Sequence, residues 1–133
     1  MIHYGPATIA KQVSAVVPTS SEATLFTITD PRHLEKSQIS IFIDATLGTS
    51  GGNTKLYLRY YVSFDGGSTY YQIPVMNLST GEVLNLPDMV DSGSPAKFVR
   101  DIAVSGANAF KCTAQTDVGT ATVNYASALV RDN

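Results

Sequence analysis

The sequence predicts an all-β chain, an antiparallel β-sandwich of about eight strands, and three observations carry that expectation. Apolar and polar residues alternate with period two through most of the 133 residues, as half-buried strands require. Turn signals rich in Gly, Pro, Ser, Asn and Asp punctuate the alternating stretches at regular spacing. Helical periodicity is almost absent.

Residues 9–17 read as a first strand, stopped by Pro18 and the polar Thr19, Ser20 and Ser21. Residues 23–29 form a second, ended by Asp30 and Pro31, and residues 31–36 make a helical turn or a crossing between sheets. The clearest strand is 38–47, where Ile39, Ile41, Ile43, Ala45 and Leu47 point one way. Gln38, Ser40, Phe42, Asp44 and Thr46 point the other. After a turn of small residues, 54–64 alternates again, with Leu56, Leu58, Tyr60, Val62 and Phe64 opposed to Lys55, Tyr57, Arg59, Tyr61 and Ser63. The short Gly-rich link predicts that these two strands form a β-hairpin. Asp65, Gly66, Gly67 and Ser68 then return the chain as a strand over 70–76, for three successive antiparallel strands.

Residues 77–95 carry three turn signals and read as a long loop of the kind that is often functional or mobile. Residues 97–104 are a further strand, and 108–116 with 120–131 are expected to close the chain as a last hairpin. The strand count and the long 77–95 crossing favour jelly-roll order over immunoglobulin-like order. Residues 1–8 are an N-terminal arm, and 9–133 a single β-sandwich domain.

Composition narrows the function. Charged residues make up 15% of the chain, below the usual quarter or so, and Ser, Thr, Asn, Gln and Gly replace them. The net charge is −2 and no two of the nine basic residues are adjacent, so nucleic acid is not expected as a partner. No run approaches the roughly 20 apolar residues of a membrane-spanning helix, and the first residues lack the pattern of a signal peptide. The one cysteine, Cys112, shares the apolar register of Phe110 and Ala114 and reads as a buried, inert thiol.

Catalysis finds few candidates. His3 and His33 are the only histidines, and no nucleophile elbow, zinc-protease helix or phosphate loop is present. Asp88, Asp91 and Asp101 match no calcium-loop spacing. No catalytic residue, cofactor or metal site is expected, and the chain is read as not an enzyme.

The most specific pattern is Ser63, Phe64, Asp65, Gly66, Gly67, Ser68, Thr69 and Tyr70. It resembles the Asp-box, the Ser-x-Asp-x-Gly-x-Thr-Trp hairpin of sialidase and related propellers, with Tyr70 in the Trp position. The resemblance implies a structural turn held by Ser63, Asp65, Gly67 and Thr69. One box without repeats does not imply a propeller. Tyr57 and Tyr61 share one strand face, and Tyr71 follows Tyr70. Together with Tyr4 in the arm, these are the candidates for contact with a protein or a glycan.

Across the chain, three features resemble phage virion structural proteins. They are the short arm before a sandwich, the stretch Tyr-Tyr-Val-Ser-Phe-Asp-Gly-Gly-Ser-Thr-Tyr-Tyr at 60–71, and Val-Ser-Gly-Ala-Asn-Ala-Phe-Lys-Cys-Thr-Ala at 104–114 followed by a turn and a final strand. The resemblance implies a capsid decoration (cement) protein, made in the host cytoplasm and located in the virion. Its implied partners are the major capsid protein or other virion proteins, with a trimer or dimer of itself. The alternative is a carbohydrate-binding or tail/fibre accessory module; a small hydrolase or lyase is the remaining class, and it lacks a visible cleft.

Overall fold

The computed structural model describes residues 7–29, 34, 38–47, 55–76, 83–84, 88–90, 96–104, 106–117 and 121–131. Eleven strands are formed among them: β1 (Ala7–Val16), β2 (Ala23–Ile28), β3 (Gln38–Leu47), β4 (Leu56–Ser63), β5 (Tyr71–Gln72) and β6 (Val75–Met76), followed by β7 (Val83–Leu84), β8 (Asp88–Val90), β9 (Ala96–Ala103), β10 (Ala109–Thr116) and β11 (Ala121–Arg131). One antiparallel sheet has the order β1-β11-β3-β9, and the second has β2-β10-β4-β5 with β8 also on β4.

The short strands β5 and β8 share one position. β5 pairs with the end of β4 at Tyr61 and Val62, and β8 with its start at Leu56 to Leu58. They flank the small β6-β7 ribbon, so the two sheets hold eight strand positions. Pro74 has no N–H to give a ladder and divides the strand expected over 70–76 into β5 and β6.

Apart from the turn from β4 to β5, each step between principal strands crosses from one sheet to the other. That order is a jelly roll, and it corrects both expected hairpins. β3 pairs with β11 and β9, whereas β4 pairs with β10, β5 and β8. β10 and β11 likewise lie in different sheets. The reason is the core. The apolar face of β3 needs a layer opposite it, not a neighbour beside it. Leu56, Leu58 and Tyr60 of β4 belong to the buried cluster that supplies that layer. Residues 48–55 are ample to span the roughly 10 Å between packed sheets.

The interior is mostly apolar. Ile39, Ile41, Leu56, Leu58, Val104, Phe110, Cys112 and Val123 are all fully buried. Each large side chain so buried stabilises the fold by about 1.5–3 kcal/mol before entropy is counted. Phe110 meets Phe26 with ring centroids 6.3 Å apart. On β11 a bulge at Asn124 resets the phase, so that Val123 and then Ala126, Ala128 and Val130 all point inward. Leu34 is also buried; the other residues of the expected turn at 31–36 lie outside the described residues.

Candidate functional site

Three surface features emerge from these strands. The first is the turn after β4. Alternation places Ser63 outside and Phe64 inside, but the structure reverses them: Ser63 is fully buried and Phe64 is 56% exposed. The reversal follows from hydrogen bonding. Ser63 Oγ donates to Asp65 Oδ1 at 2.7 Å and accepts the Gly67 N–H at 2.9 Å. Asp65 Oδ1 also accepts the N–H groups of Ser68 at 3.1 Å and Thr69 at 2.8 Å. Asn108, just before β10, locks the loop, its side chain accepting the Gly66 N–H at 2.8 Å and donating to the Phe64 carbonyl at 3.2 Å.

Gly67 has φ +100°, a conformation closed to other residues without strain. The bond from Ser63, with those from the Thr69 backbone and side chain, holds the Asp65 carboxyl down to about 2.

The second feature is the outer face of the β2-β10-β4 sheet. Tyr57, Arg59 and Tyr61 alternate with buried residues of β4, and face Gln115, Thr113 and Lys111 of β10. Glu22, just before β2, ties them together. Tyr61 Oη and Thr113 Oγ1 donate to Glu22 Oε2 at 2.5 and 2.7 Å, and Arg59 lies 3.8 Å from Glu22 Oε1. Arg59 also donates to Gln115 Oε1 at 2.8 Å. Lys111 Nζ sits over the rings of Tyr70 and Tyr61, at 4.4 and 4.9 Å from their centroids.

Burial, with the bond to Glu22 and its charge, pushes the Tyr61 hydroxyl up to about 12. Burial raises the Glu22 carboxyl, but the bonds from Tyr61 and Thr113 and the charges of Arg59 and Lys111 outweigh it and leave it below its ordinary value.

The third feature is the outer face of the β1-β11-β3-β9 sheet. Phe42 of β3 and Val99 of β9 are directly opposed across the ladder and are 38% and 54% exposed. With Tyr125 of β11 they line a shallow apolar groove, closed at one end by Asp44 and Lys97, whose charged atoms are 3.9 Å apart.

The expected contact residues do not form one site. Tyr57 and Tyr61 share the second face, with Tyr61 held by Glu22. Tyr71 stands apart on β5, 59% exposed, with its ring 6.3 Å from that of Phe64. Tyr4 lies outside the described residues. Asp88 is on a strand of one sheet and Asp101 on a strand of the other, and Asp91 lies outside the described residues. Among the described residues, no three His, Cys, Asp or Glu side chains gather as metal ligands.

Sequence reasoning passed over Glu22, Lys111, Gln115, Val99 and Tyr125. One signal was present: Phe42 is the single large apolar residue among Gln38, Ser40, Asp44 and Thr46 on the polar face of β3.

No known protein family matches the chain, and no curated protein does. Among solved structures, dimeric latent PorU from Porphyromonas gingivalis is similar with a TM-score of 0.53 and 8% identity. The likeness covers 100% of this chain and 13% of that one. It is a likeness of fold alone.

Chains of two infectious bursal disease virus structures are more distant. The Gt strain has a TM-score of 0.43 and 13% identity, covering 96% of this chain and 32% of that one. The Gx strain has 0.40 and 14%, covering 93% and 32%. These weaker likenesses add nothing to the functional reading. The chain spans at most about a third of the length of any of these three.

Proposed function

We propose that this chain is a non-enzymatic virion structural protein, a phage capsid decoration (cement) protein that binds the head lattice and stabilises it. The observation that carries the reading is the Phe42, Val99 and Tyr125 surface. Apolar side chains stand exposed on the outer face of a jelly-roll sheet and are edged by a charge pair, the make-up of a protein contact. The low charge and polar remainder of the surface suit a chain that works by contact.

The mechanism is added buried area across neighbouring capsid subunits, so that heat or expansion must break more contacts. The partners are the major capsid protein and further copies of this chain, in the virion after synthesis in the host cytoplasm.

The test is mass spectrometry of density-purified particles, with copy number set against the major capsid protein. Hundreds of copies, and a rupture temperature that falls when the protein is omitted, support the reading. Absence from particles overturns it. Phe42→Glu is expected to weaken particle binding at least about tenfold with the fold intact, the effect of removing an interface anchor.

A few copies per particle would favour the second reading, a carbohydrate-binding or tail/fibre module. The observation behind that reading is the array of Tyr57, Arg59, Tyr61, Lys111 and Gln115 on one sheet face, where rings and hydrogen-bonding groups would meet a sugar. Loss of glycan binding in Tyr57→Ala would support it, and a clean negative on a broad glycan array would remove it.

A further inference from the structure

We propose that two copies of this chain join edge to edge through β9, antiparallel about a two-fold axis at Val99, so that two four-stranded sheets become one of eight strands. The proposal names the self-contact that a decoration protein would use. It is tested on the free chain, so its failure and the failure of particle binding are read separately.

β9 is the end strand of its sheet and pairs, among the described residues, with β3 alone. Lys97, Val99, Arg100, Asp101 and Ala103 along it are all exposed. An end strand eight residues long presents a row of backbone donors and acceptors, a template for another strand.

What commits the occupant to a second copy is the order of residues. A two-fold axis normal to the sheet keeps outer face beside outer face, so one residue must face its own copy. Centring on Lys97, Arg100 or Asp101 sets like charges opposite each other, and centring on Phe98 pairs no charges at all. Centring on Val99 sets Lys97 opposite Asp101 of the copy, and Asp101 opposite its Lys97. Opposite charges facing across antiparallel strands stabilise pairing, and like charges oppose it. The two-fold makes both contacts at once, as an isologous interface does.

The rows already present extend across that axis. Phe42 faces Val99 within the chain, so Phe42, Val99 and their copies would form one apolar row over four strands. Lys97 would lie between Asp44, 3.9 Å away in its own chain, and Asp101 of the copy. Asp101, which accepts a 2.6 Å bond from Ser40, would gain Lys97 of the copy. The half-exposed Val99 would be covered, and the two apolar surfaces would become one. An interface of this kind falls below roughly 1,200 Å², so association should be concentration-dependent.

Sedimentation equilibrium over a wide concentration range tests the proposal. The wild-type chain is expected to reach twice its mass. Lys97→Asp and Asp101→Lys should each weaken association on the order of tenfold, because each substitution makes two repulsive pairs. The double variant, which restores opposite charges in reversed order, should recover it.

In a second measurement, Val99→Cys should give a disulfide-linked dimer under mild oxidation, while Val17→Cys, 62% exposed but off the strand, should not. Cys112 is fully buried and does not compete. Thermal unfolding checks that each variant is folded. A wild-type chain that stays monomeric, charge variants that associate as wild type does, or a Val99→Cys chain that does not cross-link would each overturn the proposal.

Discussion

Asp65 Oδ1 accepts the backbone N–H of Thr69 at 2.8 Å while the hydroxyl of Ser63, fully buried, donates to the same oxygen at 2.7 Å. One carboxylate thus holds both ends of the β4-β5 turn. Its folded-state pKa, about 2, lies below the ordinary 3.8. A depressed carboxyl contributes stability that is present above pH 3.8 and is lost as pH falls towards 2. Acid unfolding curves of wild type and Asp65→Asn should therefore converge over that window and stay apart above it. Ser63→Ala leaves the Gly67 N–H without its acceptor and should cost about 1–3 kcal/mol in urea unfolding.

Gly67 and Gly66 separate two kinds of glycine requirement. Both have positive φ, at +100° and +78°, but a Cβ on Gly67 would meet the Tyr70 hydroxyl at 3.2 Å and one on Gly66 would meet nothing within 4 Å. The Tyr70 ring lies under Lys111 and cannot yield without disturbing that contact. Gly67→Ala should cost more than Gly66→Ala, with backbone strain alone worth about 1–2 kcal/mol at each. Equal costs in chemical denaturation would mean that the Tyr70 contact does not matter.

Much of this fold was legible in the sequence, and the limits have physical causes. Alternation over 38–47 named both faces of β3 correctly, because period two is set by backbone geometry. It could not name the neighbours of β3, since a strand facing β4 across the core alternates just as a strand beside it would. That is why two hairpins were expected where jelly-roll crossings occur.

The reversal at Ser63 and Phe64 and the bulge at Asn124 were hidden as well, because each is set by hydrogen bonding or pairing at distant positions. Glu22 joins Tyr61 across 39 residues and Thr113 across 91, a relation with no local signature. Phe42 was visible as an apolar residue on a polar face, but its meaning depended on Val99, which only the β3-β9 register brings opposite.

The Tyr61 hydroxyl gives an alkaline counterpart to Asp65. Burial, and then the bond to Glu22 and its charge, raise it from 10.0 to about 12. A group with a raised folded pKa contributes stability that is complete below pH 10 and is lost as pH rises towards 12. Absorbance titration near 295 nm should show tyrosine ionisation extending towards pH 12, and Tyr61→Phe should reduce that phase by one tyrosine. Glu22→Gln should lower the midpoint of the same phase by removing the charge that opposes ionisation. A Tyr61 phase that stays in place in Glu22→Gln would mean that burial alone sets it.

Ser127 is a buried polar residue on the first sheet. It faces Phe42 of β3 and Gln12 of β1, is 2% exposed, and its Oγ finds no hydrogen-bond partner among the described residues. A buried hydroxyl without a partner has lost its water and gained nothing in return. Ser127→Ala removes that cost with little change in volume, and should raise stability by up to about 1 kcal/mol in urea unfolding. The same variant bears on the apolar row, because Ser127 adjoins Phe42 without reaching β9. Association measured by sedimentation should therefore be unchanged in Ser127→Ala while the unfolding midpoint rises. A fall in the midpoint would instead show that the hydroxyl is bonded in solution.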